Sequence, residues 1–280
     1  MCTTCGCDSE ALMHDAGPRA HEHPHTHEHA DGTVHAHPHT HEHPRAHDVI
    51  LPEARDARVI RFEQDLLAKN RRLADENRLA FARSGTIVLN FIGSPGAGKT
   101  ALLEATIRAL KSEVPLVVLE GDQATDLDAQ RIASAGARVA QINTGAGCHL
   151  DAAMVARGLQ EVGAHGAKLV LVENVGNLVC PALLDLGEHE KVVVLSVTEG
   201  DDKPRKYPHV FRAASVFVVN KMDLLPHVDF DVDRCVAYAR EENPDLEVLE
   251  VSARRGDGME AFVARIREMV AFASAARAVS

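Results

Sequence analysis

The sequence contains no apolar run long enough to cross a membrane. Hydrophobic stretches such as LVLV and VVVLSV are far shorter than the roughly 20 residues that a transmembrane helix requires. The N-terminus also lacks the cationic start and the apolar stretch of a secretory signal peptide. We therefore expect a cytoplasmic protein that does not enter a membrane.

An excess of basic residues is also missing. The formal net charge is −11, and residues 1–48 alone hold eight Asp or Glu against two Arg, a net charge of −6 with histidine neutral. A general nucleic-acid-binding protein needs a basic face to neutralise phosphates, so nucleic acid is excluded as the expected partner. Acidic residues mixed with imidazoles attract cations instead.

The chain is long enough for one sizeable domain with extensions. It has 280 residues and a hydrophobic fraction of 45%, which is ordinary for a globular protein. Six cysteines could form three disulfides. In a reducing compartment, however, clustered cysteines favour metal binding or redox chemistry.

Residues 1–48 form a Cys- and His-rich tail that contains 12 of the 17 histidines. The histidines alternate with Glu, Pro, Thr and Ala, and few apolar residues are present to offset the entropy of ordering. We therefore expect the tail to be disordered without metal. A purification tag is the alternative, but the interspersed pattern and its continuity with the cysteines disfavour it. The candidate metal ligands in this tract are His21, His23, His25, His27, His29, His35, His37, His39, His41 and His43.

Three further candidate ligands, Cys2, Cys5 and Cys7, precede the histidines. Their spacing is too tight to enclose an ion by folding, but a flexible peptide can wrap one. Three thiolates and a terminal amine supply four donors, which suits square-planar Ni²⁺. Zn²⁺ is the first alternative, and redox chemistry of Cys5 and Cys7 is the second. The histidine tract is then a low-affinity reservoir.

Residues 49–84 predict an amphipathic helix, and residues 85–280 predict an α/β domain. The helical pattern runs from Pro52 to Arg83 and ends at Ser84-Gly85. Apolar strands then alternate with helical stretches, and residues 258–276 predict a closing helix. This alternation indicates a mostly parallel sheet covered by helices on both faces. The predicted strands are 86–92, 115–120, 138–144, 168–174, 191–197, 215–221 and 246–252.

The segment GSPGAGKT matches the phosphate-binding pattern G-x-x-x-x-G-K-[ST] between a predicted strand and a predicted helix. Its glycines allow backbone N–H groups to surround phosphates, and the helix that begins near Lys99 adds its positive dipole end. Lys99 can reach the β- and γ-phosphates, and the Thr100 hydroxyl can ligate Mg²⁺. The fold class is therefore a P-loop NTPase. The predicted nucleotide contacts in this loop are Gly93, Ser94, Pro95, Gly96, Ala97, Gly98, Lys99 and Thr100.

The motif NKMD (220–223), at the end of a predicted strand, indicates that the base is guanine. The Asp223 carboxylate can accept from guanine N1–H and from the 2-amino group, whereas adenine would leave this charge facing a lone pair. Asn220 is expected to brace the loop, and the Lys221 stem to cover the base. The later VSA (251–253), which includes Ser252 and Ala253, is placed to offer a backbone N–H to guanine O6. The expected nucleotide is GTP.

Acidic residues should complete the Mg²⁺ and water shell. Asp122, Asp126 and Asp128 follow the second predicted strand of the domain, and Glu173 ends the fourth. Carboxylates at the C-termini of parallel strands face the nucleotide crevice, so Asp122 and Glu173 rank highest. With Lys99 and Thr100 they form the predicted catalytic set.

Cys148, His149 and Cys180 form a second candidate metal site. All three lie in predicted Gly-rich loops at the same end of the sheet. Thiolate and imidazole ligands suit Zn²⁺ or Ni²⁺ rather than Mg²⁺, and three ligands leave a position for water or for a group from a second subunit. Cys235, on a predicted helix without a companion, is interpreted as structural.

The combination of CTTCGC, the His-rich tract, GSPGAGKT, EGD, GAGCH, ENVGNLVCP and NKMD resembles the HypB family, GTPases that help deliver nickel to [NiFe]-hydrogenase. The resemblance covers nearly the whole chain. It implies a high-affinity nickel site at Cys2, Cys5 and Cys7, and a nickel or zinc site at Cys148, His149 and Cys180. It also implies GTP-linked homodimerisation, a HypA-type companion chaperone, in some bacteria the partner SlyD, and the hydrogenase large subunit as final acceptor.

Glu173 and Cys180 are seven positions apart, which predicts a link between the nucleotide and the metal. If phosphate and Mg²⁺ pull ENVGN inward, Cys180 moves with it, so each site biases the other. Turnover should be slow, because no arginine finger is evident. Two rival interpretations are a urease accessory GTPase, disfavoured by CTTCGC and ENVGN, and a nickel store with a vestigial GTPase. A translation or signalling GTPase would leave the cysteines without a role.

Overall fold

The structure of the protein is a computed structural model that describes residues 22–28, 34–40, 57–122, 126–145 and 147–279. The chain separates into two compact units, residues 1–63 and 64–280. Cys2, Cys5 and Cys7 lie outside the described residues. The same holds for four of the ten candidate histidine ligands of the tail, His21, His29, His41 and His43.

The first unit contains a two-stranded antiparallel sheet, β1 (Glu22–Glu28) with β2 (Val34–Thr40). His25 is the register partner of His37. The expectation that residues 1–48 are disordered without metal stays a prediction. The pairing of these two segments follows from the strict alternation of histidine with other residues, since a period of two is the period of a strand. Strand pairing also satisfies backbone groups without needing an apolar core.

Helix α1 (Ala57–Ser84) matches the predicted amphipathic helix, although residues 52–56 are outside the described part. It ends as predicted at Gly85, whose φ of 62° is left-handed and terminates the helix. Ala74, Asn77 and Phe81 are buried and share one face, because they are spaced three and four residues apart.

A seven-stranded parallel sheet forms the centre of the second unit, in the order β5-β4-β6-β3-β7-β8-β9. All seven predicted strands are confirmed, with ends that shift by up to two residues. The strands are β3 (Ile87–Gly93), β4 (Leu116–Asp122), β5 (Arg138–Asn143), β6 (Leu169–Glu173), β7 (Glu190–Ser196), β8 (Val216–Asn220) and β9 (Glu247–Glu250).

Helices cover both faces of this sheet, because the central strands are apolar on both sides. Leu89 and Phe91 of β3 pack with α2 and α9 on one face, and Val88 packs with α1 and α4 on the other. The helices are α2 (Lys99–Leu110), α3 (Leu127–Ala135), α4 (Ala152–Glu161), α5 (Cys180–Leu183), α6 (Lys203–Lys206), α7 (Pro208–Ala213), α8 (Val232–Glu242) and α9 (Met259–Val279). A 3₁₀ helix, Met222–His227, follows β8.

Parallel strands bring their carboxyl ends to one edge of the sheet, and the loops after β3, β4, β5, β6 and β8 therefore meet there. This edge holds the residues discussed below. Among the helices in the described part of the chain, none has the length and apolar character that crossing a bilayer requires.

Candidate functional site

The phosphate loop, residues 93–100, connects β3 to α2 and lines a cavity of about 440 Å³. Gly98 has a φ of 94°, and a Cβ there would lie 2.4 Å from the Asn220 side chain, so the turn requires glycine. Lys99 is buried, and its Nζ donates to the Gly93 carbonyl at 3.3 Å. Burial lowers the pKa of this ammonium, although Glu173 opposes the shift.

Two other residues of the loop contact neighbouring segments. The Ser94 hydroxyl accepts from Lys203 Nζ at 2.7 Å. Pro95 lies against Gly176, where an added Cβ would be 2.9 Å from the proline ring. The phosphate loop is therefore packed directly against the loop that follows β6.

Glu173 ends β6, and its Oε1 accepts from the Thr100 hydroxyl at 2.8 Å. Its Oε2 is buried with no hydrogen-bond partner among the described residues. Burial raises the pKa of this carboxyl to about 7, against the opposing effects of Lys99 and Thr100.

Glu120, which the sequence analysis missed, is the register partner of Glu173 on the adjacent strand β4. It is 2% exposed, and its Oε2 also lacks a partner in the described part of the chain. Burial and then repulsion from Glu173 raise the pKa of Glu120 to about 8. Glu120 begins the EGD motif, but the sequence analysis gave it no role of its own, and a glutamate inside a buried apolar strand was the signal that could have found it.

The carboxylates fit the hard cation that a P-loop nucleotide site implies. Two buried carboxylate oxygens without donors are costly, and Mg²⁺ prefers oxygen ligands of this kind. Asp122 and Asp128 line the same cavity. Asp126 is exposed just before α3, where it accepts from Gln130 Nε2 at 2.8 Å, and the structure does not bring it to the cavity.

The NKMD segment lies beside the phosphate loop. Asn220 Nδ2 donates to the Ala97 carbonyl at 3.0 Å, which is the predicted bracing contact. Lys221 has a φ of 63°, and its Nζ donates to the Gly96 carbonyl at 2.7 Å. The positive φ turns the backbone sharply at Lys221. The two side-chain hydrogen bonds hold the NKMD segment against the phosphate loop.

Asp223 faces the segment that contains Ser252 and Ala253. Its Oδ1 accepts from the Ser252 hydroxyl at 2.6 Å, which lowers the pKa of the Asp223 carboxyl. The Ala253 N–H donates to Asn220 Oδ1 at 3.2 Å. In this structure that donor braces Asn220, and the presentation of an N–H of the VSA segment to a base stays a prediction.

Cys148, His149 and Cys180 form a cluster of possible metal ligands, called the metal cluster below, whose ligand atoms all lie within 4.8 Å of one another. The two sulfur atoms are 2.7 Å apart, and Cys148 Sγ is 3.6 Å from His149 Nδ1. Burial lowers the pKa of His149, which favours the neutral imidazole that ligates metals. The donor set of two sulfurs and a nitrogen suits Zn²⁺ or Ni²⁺.

One placement in the cluster differs from the sequence prediction. Cys180 was expected in a Gly-rich loop, but it is the first residue of the short helix α5 and is 5% exposed. Pro181 explains the difference, since proline favours the first turn of a helix. Cys235 lies in α8, and burial raises the pKa of its thiol to about 12, in keeping with a structural role.

Asn174 is the second site residue that the sequence analysis missed. It follows Glu173, is 2% exposed, and its Oδ1 accepts from the Leu150 N–H at 3.1 Å. Leu150 follows His149, so the amide joins the loop after β6 to the loop after β5. A single asparagine in a loop carries no sequence signature for such a contact.

Comparison with known proteins agrees with this geometry. Residues 87–250 match the family model of the CobW/HypB/UreG nucleotide-binding domain. The hydrogenase maturation factor HypB of Azotobacter vinelandii is 55% identical over 222 residues, which cover 79% of this chain and 72% of the relative. HypB of Rhizobium leguminosarum bv. viciae is 48% identical over 283 residues, 94% of this chain and 95% of the relative.

Solved structures give the same result. The crystal structure of HypB from Helicobacter pylori in complex with nickel is 35% identical, with a TM-score of 0.68 over 72% of this chain and 95% of that one. HypB from Archaeoglobus fulgidus is 41% identical, with a TM-score of 0.68 over 73% of this chain and all of that one. The sequence, the P-loop fold and the Cys-His cluster thus agree, and the chain belongs to the HypB family of hydrogenase maturation factors within the CobW/HypB/UreG group.

Proposed function

We propose that the protein is a GTP-hydrolysing nickel metallochaperone that stores Ni²⁺ and delivers it to [NiFe]-hydrogenase during maturation. The observation that carries the proposal is the shared loop after β6. Glu173 faces the phosphate cavity at the beginning of this loop, and Cys180 contributes to the metal cluster at its end. A nucleotide and a metal ion bound here therefore both act on the conformation of residues 173–180. Binding of one changes the affinity for the other.

The phosphate site supports GTP binding and hydrolysis. Lys99 supplies a cation to the β- and γ-phosphates, and backbone N–H groups of residues 93–100 surround them. Thr100, Asp122 and Glu173 would hold Mg²⁺, with Asp128 lining the same cavity. The bound ion would neutralise charge on the phosphates. Burial of Lys99 strengthens its electrostatic effect, because water is excluded around it.

Base selection is assigned to Asp223, with Asn220, Lys221 and the Ser252-Ala253 backbone in support. The low pKa of Asp223 keeps the carboxylate ionised, as acceptance from guanine N1–H and the 2-amino group requires. The Ser252 hydroxyl orients the carboxylate. Asp126 lies outside the cavity lining, and its contact with the nucleotide stays a prediction.

Hydrolysis is expected to be slow. Arg131 lines the cavity, but its guanidinium donates to Glu104 at 2.9 Å and to Asp128 at 2.9 Å. An arginine held in this way is not positioned to stabilise charge on a transferring phosphate. Slow hydrolysis sets the lifetime of the GTP-bound state and therefore the time for which the metal is retained.

The cargo site is the metal cluster, which binds Ni²⁺ for delivery, with Zn²⁺ as the competing ion. Three protein ligands leave a coordination position, and a homodimer formed on GTP binding could fill it from the second subunit. The tail, with Cys2, Cys5, Cys7 and its histidines, supplies storage and a separate high-affinity site. A HypA-type chaperone and the hydrogenase large subunit are the proposed recipients, in line with the hydrogenase maturation factors among the relatives.

The test is a Ni²⁺ titration of the full chain carrying Cys2→Ala, Cys5→Ala and Cys7→Ala, with GDP or a non-hydrolysable GTP analogue bound. We expect one site per protomer whose affinity differs between the two states. Cys148→Ser with Cys180→Ser should abolish that site while GTP binding persists. Equal affinities in both states would refute the proposed switch. Retention of the site in the serine variant would refute the assignment of the ligands.

A further inference from the structure

A buried side chain, that of Asn174, joins the two loops that carry the metal cluster. Its Oδ1 accepts from the Leu150 N–H at 3.1 Å and from the Val175 N–H at 3.1 Å. Leu150 follows the metal ligand His149, and Asn174 follows the phosphate-site residue Glu173. The amide therefore connects the neighbours of two functional residues that belong to different sites.

The orientation of this amide is fixed by a chain of buried hydrogen bonds. Asn174 Nδ2 donates to Asn90 Oδ1 at 3.1 Å, and Asn90 Nδ2 donates to Glu188 Oε1 at 3.1 Å. Glu188 forms an ion pair with Lys191 at 2.7 Å. Asn90 is fully buried, so a rotation of the Asn174 amide would leave buried polar groups without partners. The side chain can move with its backbone, but it cannot easily rotate away.

The loop after β5, which contains Leu150, is also held by contacts on the side that faces away from Asn174. The Leu150 side chain is fully buried against Gly121, where an added Cβ would lie 2.8 Å from it. The Ala152 N–H donates to Asn70 Oδ1 at 2.9 Å, and the Ala152 carbonyl accepts from Asn77 Nδ2 at 2.9 Å. A displacement of Leu150 is therefore transmitted to His149 on its N-terminal side, because Ala152 on its C-terminal side is held in place by α1.

The segment on the other side of Asn174 contacts the phosphate loop at two points. Glu173 accepts from Thr100, and Gly176 packs against Pro95. Both partners belong to the loop that is expected to change its contacts when a triphosphate binds. Asn174 lies between these two contacts, and it also lines the phosphate cavity.

We propose that Asn174 is a positioning residue that transmits the state of the phosphate site to Cys148 and His149. The inference rests on the proposed function and names how the same site is regulated. Cys180 lies at the end of the loop after β6 and moves with that loop. The Asn174 amide makes the loop after β5, which carries Cys148 and His149, move with it as well. Without the amide only Cys180 follows the phosphate site, and the part of the nucleotide dependence that acts through Cys148 and His149 is lost.

The experiment measures the Ni²⁺ dissociation constant of the full chain with Cys2, Cys5 and Cys7 replaced by Ala, in the GDP state and with a non-hydrolysable GTP analogue. Coupled sites typically change an affinity about 5- to 150-fold, and we expect a ratio in this range for the parent. Asn174→Leu, similar in size, should reduce the ratio several-fold, and the remaining nucleotide dependence is carried by Cys180.

A matched control is Asn243→Leu. Asn243 Nδ2 donates to the Ala214 carbonyl at 2.8 Å, next to the start of β8 and thus at the opposite end of the sheet. This variant should lose stability but keep the ratio, which separates a positioning role from a merely structural one. If Asn174→Leu does not fold, Asn174→Ala, which leaves room for water at the Leu150 N–H, carries the same expectation.

The outcomes separate the two proposals. A parent ratio well above 1 that persists in Asn174→Leu or Asn174→Ala overturns the role of Asn174 and leaves the nucleotide switch standing. A parent ratio of 1 overturns the switch itself. A ratio that collapses in Asn243→Leu as well overturns the specific role, because general loosening would then explain the result.

Discussion

Glu120 and Glu173 place two buried acids opposite each other on adjacent strands, with an oxygen of each left without a donor among the described residues. An unfolded glutamate titrates near 4.5, whereas burial raises the folded pKa of Glu120 to about 8 and that of Glu173 to about 7. Between the unfolded and folded values the native state binds more protons. Stability without nucleotide and Mg²⁺ therefore falls as pH rises through this range.

Glu120→Gln should flatten this pH dependence, because a neutral amide removes one of the two groups that must lose a proton. The measurement is the urea midpoint of the nucleotide-free protein in chelator at several pH values between about 5 and 8. Glu260→Gln, at an exposed position of α9, is the control and should follow the parent. Parallel curves for Glu120→Gln and the parent would show that Glu120 does not carry the buried proton.

Asp223→Asn should change the base preference. An amide can donate to the 2-oxo group of xanthine where the carboxylate accepted from the 2-amino group of guanine, and it cannot accept twice from guanine. We expect GTP affinity to fall by about 10- to 100-fold and xanthosine triphosphate affinity to rise, since a mispaired polar contact costs about 1–3 kcal/mol. Nucleotide titrations measure both. Unchanged selectivity would move base recognition to another residue.

At the scale of single residues, the roles that could be predicted from the sequence belong to residues within one contiguous motif. The phosphate loop is one segment whose glycines and lysine act through local geometry, so its place between β3 and α2 was predictable. Glu120 and Asn174 act through partners that are distant along the chain. Their roles appear only when the parallel sheet aligns β4 with β6 and brings residue 150 to residue 174.

At the scale of elements, α1 has a structural role that its charged sequence does not suggest. Asn77 is buried and its Nδ2 donates to the carbonyls of Ala152 and Leu186, both at 2.9 Å. Arg78 pairs with Asp185 through both carboxylate oxygens. The helix thereby fixes the beginning of α4 and the turn before β7, two segments next to the metal cluster. Strand existence was predictable from short apolar runs, but these polar braces were not.

Asn77→Ala should destabilise the second unit by about 1–3 kcal/mol, because two buried carbonyls lose their donor. The free energy of unfolding from urea titration, with nucleotide and metal absent, measures the loss. Arg83→Ala, at an exposed position of the same helix, should change stability by less than about 0.5 kcal/mol. A loss in Asn77→Ala no larger than in Arg83→Ala would mean that α1 does not hold α4 in place.

At the scale of the whole molecule, the chain combines an acidic, histidine-rich segment with a nucleotide-binding unit. The two have different chemistry. Histidines spaced along residues 21–43 offer many equivalent donors and therefore capacity, whereas the metal cluster offers a defined geometry next to a nucleotide. Storage and delivery should therefore be separable by deletion.

Deletion of residues 14–47 should lower the number of Ni²⁺ ions bound per chain while leaving GTP turnover and the nucleotide dependence of the metal cluster intact. The expected reason is that capacity scales with imidazole count, but the switch depends on contacts within the second unit, which does not include these residues. Equilibrium dialysis counts the ions, and phosphate release measures turnover. Hydrogenase activity in cells with ample nickel should survive the deletion, whereas Lys99→Ala should abolish it. If the deletion alone abolished maturation and Lys99→Ala did not, the histidine tract would be the functional part, and the nucleotide-binding unit would have to be regarded as vestigial.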